Sequence, residues 1–359
     1  MRRTGANMPT VSVVIPTCNM AEFLPRAIES VLSQAGPELE TIVVDDGSTD
    51  DTESVVRPYL SRISYYRQRN QGVAAARNQG IRMSRGSLIR FLDADDLLVP
   101  GAVTKQVEVF QRYQNVAMVW GQAYVMDREG HIYGMRRAPP PHPKSTLLPS
   151  RTAFRWLLRG NTICNSTVMV RRSALRRLAP LDCGAVRGED WELWLRISAH
   201  YDLAYLPTPM AYYRTHPESL TSGTSVELFR DSHTQTVRNL FAEADFPYRH
   251  LEGLAHAYLQ RSIALAAARC RERRLFARHI LNAQARRPAL LLETYTWYCL
   301  YEACKSVTPL PLLQQARRLK RALTGRWHHP GGPGAQAQGD LAVRAPAGLP
   351  IGPPLPPRS

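Results

Sequence analysis

Two acidic clusters, Asp45-Asp46 and Asp93-Ala94-Asp95-Asp96, each stand where a short apolar, β-branched run stops. Val11-Ser12-Val13-Val14-Ile15, Thr41-Ile42-Val43-Val44 and Ser87 to Leu92 read as buried strands, and Ile63 to Tyr66 as a weaker one. Between them, apolar residues recur at helical spacing. Phe23, Leu24, Ala27, Ile28, Val31 and Leu32 form one stripe before Gly36-Pro37, and the Ala-rich stretch Val73 to Met83 is another helix. A further helix is expected from near Asp50, with Glu53 as a capping-box partner. Strands alternating with helices predict an α/β fold with a mostly parallel sheet covered on both faces. Such sheets bind ligands at the carboxyl ends of their strands, where both acidic clusters fall.

The sheet is expected to continue at Val116 to Trp120 and Thr167 to Val170. Ala123 to Met126 and His131 to Tyr133 flank Asp127-Arg128-Glu129-Gly130 as a hairpin, and the Pro-rich residues 138–149 read as a loop. Asp190 to Ala199 is helical and carries Trp191 and Trp194. After about Ser225 the stripes Leu251, Leu254, Tyr258, Leu259, Ile263 and Leu275, Phe276, His279, Ile280 predict an all-helical extension. The chain therefore divides into an α/β domain over 9–224, a basic helical extension over 225–324 and a Pro/Gly-rich tail over 325–359 that is expected to be disordered.

With 359 residues, 44% hydrophobic and 21% charged, the chain can bury a sizeable core, which excludes a wholly disordered protein. A net charge of +16 calls for anionic partners: phosphorylated substrates, anionic lipid surfaces or nucleic acid. Residues 261–321 hold thirteen Lys and Arg against three Asp and Glu, so much of the excess lies in the extension. No recognition motif with interleaved aromatics accompanies it, so no nucleic-acid partner is expected. Contact with an anionic membrane face that presents a lipid-linked acceptor is the natural use of that charge. The six cysteines, at 18, 164, 183, 270, 299 and 304, form no CxxC pair and no zinc spacing, which suits reduced thiols in a cytoplasmic protein. Arg2 and Arg3 are followed by no apolar stretch, so no secretory signal is expected. Pro288 to Pro311, interrupted by Glu293, Glu302 and Lys305, reads as a buried or surface-lying helix rather than a span. A peripheral place at the inner face of the membrane accommodates all of this.

Chemistry concentrates in a few stretches. Three carboxylates in four residues at Asp93 to Asp96 repel one another unless something neutralises them, and Mn2+ or Mg2+ takes such oxygen ligands together with substrate phosphates. A solvated acidic turn capping the helix after Pro100 would use the same residues; the acidic pair at a neighbouring strand end favours the cation. Asp45-Asp46-Gly47-Ser48-Thr49-Asp50 can select a nucleoside through a carboxylate, although a turn and helix N-cap account for it as well. Pro16-Thr17-Cys18-Asn19 holds no glycine, so neither a GxGxxG fingerprint nor a Walker loop follows the first strand. Gly188-Glu189-Asp190 heads an aromatic helix, where acidic residues favour the first turn and a carboxylate can also act as general base. His216 could complete a metal shell, and a lone histidine is more often structural.

Taken together, these stretches resemble the inverting glycosyltransferases of family 2, which have the GT-A fold. The resemblance covers roughly residues 9 to 220. It rests on Val11 to Asn19, Val43 to Thr52, Asn70 to Asn78, Phe91 to Asp96, Gly188 to Trp191 and Tyr213-Arg214-Thr215-His216, in that order. It implies a sheet that binds a nucleotide diphosphate sugar, most commonly a uridine one. Pro16, Thr17, Asp46, Arg77, Asp93 and Glu189 would face that donor, and Asp95, Asp93 and His216 would hold Mn2+ or Mg2+. Asp190 would be the base that deprotonates an acceptor hydroxyl on a glycan or lipid-linked acceptor, as in polysaccharide or glycolipid biosynthesis. A sugar-phosphate nucleotidyltransferase would share the sheet and aspartates but needs a glycine-rich basic loop after the first strand. An inactive transferase-like scaffold that binds an anionic partner would have no need of the full set of aspartates.

Overall fold

Val11–Thr17 (β1) is buried along its whole length, as a β-branched run covered on both faces must be. The computed structural model describes residues 11–36, 38–140, 146–178, 180–181, 188–219, 225–243 and 246–305. The other strands are Leu39–Asp45 (β2), Ser64–Arg67 (β3), Leu88–Phe91 (β4), Leu97–Leu98 (β5), Val116–Met126 (β6), Ile132–Arg136 (β7), Leu147–Leu148 (β8), Met169–Arg171 (β9) and Asp202–Arg214 (β10). They form one sheet in the order β3-β2-β1-β4-β9-β6-β10-β5, with β7 on β6 and β8 on β10. The long ladders are parallel: β1 with β2 and β4, β2 with β3, and β6 with β10. β9 enters antiparallel between β4 and β6.

The helices are Leu24–Leu32 (α1), Thr52–Val56 (α2), Val73–Met83 (α3), Ala102–Arg112 (α4), Ser150–Leu157 (α5), Arg172–Leu175 (α6), Glu189–His200 (α7), Val226–Ala242 (α8), Glu252–Arg269 (α9), Arg273–Arg286 (α10) and Thr294–Lys305 (α11). Alternate residues of β1 feed two cores. Val11, Val13 and Ile15 pack with α1 and α4, whereas Val14 joins Phe91, Trp120, Trp194 and the apolar faces of α5, α7, α8 and α9. The second cluster is continuous from the sheet into the extension, so α8 and α9 share the sheet's core.

Several expectations change in detail. Val116 to Met126 is a single strand, because Gly121 lets β10 approach: a Cβ there would lie 2.8 Å from the Thr208 carbonyl oxygen. β10 has no counterpart in the sequence reading. Pro207 and Pro209 argue against a strand, and the structure resolves the conflict with register shifts between Leu206 and Ala211. Leu147–Leu148, inside the stretch read as loop, pairs with β10. The capping box at Asp50 does not form. Asp50 Oδ1 accepts from the backbone N–H and hydroxyl of Thr52, and Glu53 faces Arg67 and Arg57 instead. The tail over 325–359 and the extension beyond residue 305 lie outside the described residues.

α3 crosses β1 so closely that a Cβ on Gly80 would sit 2.2 Å from Val14 Cγ1, a fully buried side chain with no room to yield. Alanine would gain about 1 kcal/mol of helix propensity and lose about 1–3 kcal/mol to overpacking. Gly80→Ala is expected to lower stability, read as a reduced urea midpoint; a raised midpoint would mean the helix can move off the strand.

Candidate active site

The carboxyl ends of β1, β2 and β4 lie side by side, at the point where the strand order reverses about β1. At the end of β2 the two aspartates divide the labour. Asp45 accepts from the Ser48 N–H (2.8 Å) and the Tyr65 hydroxyl (2.6 Å), which closes the turn. Asp46 accepts from Gln68 Nε2 (2.8 Å) and from the N–H groups of Gln71 (2.9 Å) and Gly72 (2.7 Å), so its carboxylate holds the loop that leads into α3. Thr17, last in β1, is buried, and its hydroxyl finds no partner among the described residues. Pro16 lies within β1, opposite Val44. Asn19, at φ 55°, turns its side-chain oxygen onto the Thr49 N–H (2.7 Å) and so ties the two loops together.

After β4 the chain turns through the second acidic cluster. Asp96 is buried; its Oδ1 accepts from the Arg214 N–H (2.8 Å) and its Oδ2 from the Ser166 hydroxyl (2.5 Å). Burial, followed by the charges of Asp95 and Asp93, raises its pKa well above the usual carboxylate range. Asp93 Oδ1 accepts from Arg77 Nη2 and Asn165 Nδ2, both at 2.8 Å, which leaves Oδ2 for another ligand. Burial is also the first cause of the raised pKa of Asp93. Asp95 Oδ2 faces His216 Nε2 at 3.0 Å, and His216 Nδ1 faces Glu218 at 3.1 Å. The hydrogen bond to Asp95 is the main reason the His216 pKa is raised.

Two further carboxylates arrive from α7. Gly188 takes the left-handed φ of 84° at its N-cap, which sets Glu189 and Asp190 in the first turn. Glu189 pairs with Arg77 Nη1, so the buried Arg77 guanidinium spans from Glu189 to Asp93. Asp190 accepts from Asn161 Nδ2 on both oxygens, at 3.0 Å each, and from the Trp191 N–H at 2.7 Å. Of the residues expected at the site, Arg77, Asp93 and Glu189 thus form one chain of contacts, Asp95 and His216 form a pair, and Asp46 and Thr17 hold the adjoining strand ends.

The donors suit a hard divalent ion. Asp93 Oδ2, Asp95 and His216 are oxygen and imidazole groups of the kind such an ion takes, and the carboxylates crowd negative charge there. Among the described residues, the group whose ligand atoms all come within 4.8 Å of one another is Asp127, Glu129 and His131; Asp93, Asp95 and His216, expected to share an ion, are not gathered that closely. That group sits on the exposed β6–β7 turn, where Asp127 already accepts from the N–H groups of Gly130 and His131. A cavity of about 510 Å³ opens at the opposite end of the sheet, near Glu38, Glu40, Arg62 and Arg85, and touches none of these carboxylates.

The sequence reading missed Asn161, Asn165, Ser166 and His233. The first three lie in a polar stretch ahead of β9; because β9 runs antiparallel to β4, that stretch lands beside Asp93. Asn161 Oδ1 and Asn165 Oδ1 are buried and without partners among the described residues. With the Thr17 hydroxyl they leave unmet hydrogen bonds that a polar ligand can satisfy. His233 comes from α8. It stacks on Phe229 (3.8 Å), lies 5.1 Å from the Trp191 ring and covers Gly188. Its Nδ1 donates to the Phe229 carbonyl at 3.0 Å, which makes Nε2 the acceptor of the neutral ring.

The family model of glycosyl transferase family 2 matches residues 12–179. That match spans a little under half of the chain, and the sheet has the GT-A fold. Over 132 residues it is 36% identical to a chondroitin synthase of Escherichia coli, a match covering 36% of this chain and 19% of that protein. It is 28% identical over 228 residues to the E. coli UDP-Glc:alpha-D-GlcNAc-diphosphoundecaprenol beta-1,3-glucosyltransferase, covering 63% of this chain and 85% of that one. Its fold resembles that of a Pyrobaculum calidifontis mannosyltransferase solved with GDP-Man and Mn2+, at a TM-score of 0.52 and 19% identity over 88% of this chain and 87% of that one.

Burial lowers the His233 pKa from 6.5 to about 4. An unfolded chain takes up a proton there as pH drops below 6.5, and the folded chain does not until about 4. The contribution to stability is therefore complete above pH 6.5 and is lost as pH falls toward 4. Between pH 8 and pH 5 the unfolding free energy, measured by urea denaturation, should fall further for the parent than for His233→Phe, by on the order of 2 kcal/mol. Equal falls would show that the ring is not held neutral.

Proposed function

We propose that this glycosyltransferase transfers a sugar from a UDP sugar to an acceptor hydroxyl with inversion, in the synthesis of a polysaccharide or glycolipid. The observation that carries the reading is the unbroken path Asp190–Glu189–Arg77–Asp93. It couples a carboxylate oriented by Asn161 to the acidic end of β4, one side for the acceptor and one for the donor. The orphaned oxygens of Asn161 and Asn165, whose amide nitrogens bond Asp190 and Asp93, border that path and suit a hydroxyl-rich substrate.

Asp190 takes the proton of the acceptor hydroxyl while its oxygen attacks the anomeric carbon. The bond from that carbon to the diphosphate breaks in the same step, and the nucleoside diphosphate leaves with the electron pair. One displacement inverts the configuration. Asn161 and the Trp191 N–H keep the Asp190 carboxylate aimed throughout. Asp95, His216 and Asp93 would hold Mn2+ or Mg2+, which when bound supplies positive charge beside the diphosphate. The lipid-diphosphate substrate of the E. coli glucosyltransferase relative supports a lipid-linked acceptor at the cytoplasmic membrane face.

Asp190→Asn should leave nucleotide binding intact in a thermal-shift titration while turnover falls about 10²–10⁴-fold. Equal loss of binding and turnover would remove Asp190 from the role of base. Asp95→Ala should abolish the Mn2+-dependent part of the UDP thermal shift; a shift that stays metal-dependent would place the ion elsewhere.

A further inference from the structure

The extension carries an exposed apolar cluster set among arginines. Leu292 is 86% exposed and Leu291 47%, both in the turn Pro288–Leu292 that joins α10 to α11; Trp297, 61% exposed, follows in the first turns of α11. Arg286 and Arg287, at the end of α10, are exposed immediately before that turn. On α10 itself Arg274, Arg278 and Leu281 (66% exposed) recur at helical spacing along the outer side, while His279, Ile280 and Ala283 face inward. None of these four arginines is neutralised: among the described residues Arg274, Arg278, Arg286 and Arg287 join no ion pair, and Glu293 is taken by Arg261.

Leucines and a tryptophan left in water beside unpaired arginines are costly unless something covers them, and the two residue types together suit one kind of surface. A lipid headgroup layer accepts Trp and Leu at the depth of the first acyl carbons and attracts Arg when its lipids are anionic. Among the described residues no helix is long and apolar enough to cross a membrane, so the contact lies along the surface. We propose that the α10–α11 junction, through Arg286, Arg287, Leu291, Leu292 and Trp297, docks the enzyme on an anionic bilayer. The proposal rests on the lipid-linked acceptor of the preceding section for its purpose, and on a different part of the molecule for its evidence.

Sedimentation of the full chain with phosphatidylcholine vesicles, with and without phosphatidylglycerol, tests it. The parent should bind the anionic vesicles at least tenfold more tightly, and added salt should weaken the binding. Leu292→Ser with Trp297→Ser should reduce binding at least fivefold. Arg286→Glu with Arg287→Glu should do the same and provides a second test should the first variant fold poorly. Both variants should keep the parent's UDP and Mn2+ thermal shift, so a failure of docking is distinguishable from a failure of the transferase reading. Equal binding to neutral and anionic vesicles, or variants that bind like the parent, would overturn the proposal. So would a self-association of the parent in solution that the apolar variant abolishes, because the cluster would then cover a second copy of the chain.

Discussion

A single buried guanidinium organises the site. Arg77, on α3, spans the half-buried Asp93 beyond β4 and the buried Glu189 on α7, and its positive charge offsets the cost of bringing two carboxylates together there. Two such carboxylates without a partner would repel each other and cost several kcal/mol in desolvation. The same contact sets the spacing between the acidic strand end and the helix that carries Asp190. Structure and chemistry are therefore coupled in one residue. The arginine that offsets part of the negative charge at this centre also ties the acidic end of β4 to the first turn of α7.

Most of the left half of the sheet was legible in the sequence. β-branched runs announce β1, β2 and β4, and the acidic turns mark their ends, because a strand buried on both faces excludes polar residues until it emerges. The right half was less legible. Pro207 and Pro209 disguise β10, and the antiparallel entry of β9 is a matter of topology that no local pattern carries. That insertion is why Asn161 and Asn165 escaped notice while Asp190 did not. The acidic first turn at Asp190 reads locally as helix capping and stands out only through the resemblance carried by Gly188 to Trp191, whereas the two asparagines reach Asp190 and Asp93 only through the strand they precede.

The helical extension takes part in the site as well as in the core. α8 leans on α7 through Asn239 and the Glu192–Arg196–Glu243 contacts, and it places His233 over the Gly188 turn from which Asp190 projects. Its sequence shows only amphipathic helices, and a histidine in such a stripe reads as ordinary core. Tertiary packing gives that ring its position beside the first turn of α7.

The order in which the site's pieces occur along the chain has a consequence during synthesis. Asp96 is held by the backbone of Arg214, 118 residues downstream, and Arg77 meets Glu189 across 112 residues. While a ribosome is still making β10, Asp96 lacks the Arg214 backbone partner, and Arg77 gains its second carboxylate only after 112 further residues. The half of the sheet made first can assemble early, but the reactive centre closes as one of the last events, since loop closure over such separations is slow. The contacts that complete this cluster therefore wait until nearly all of the α/β domain has emerged.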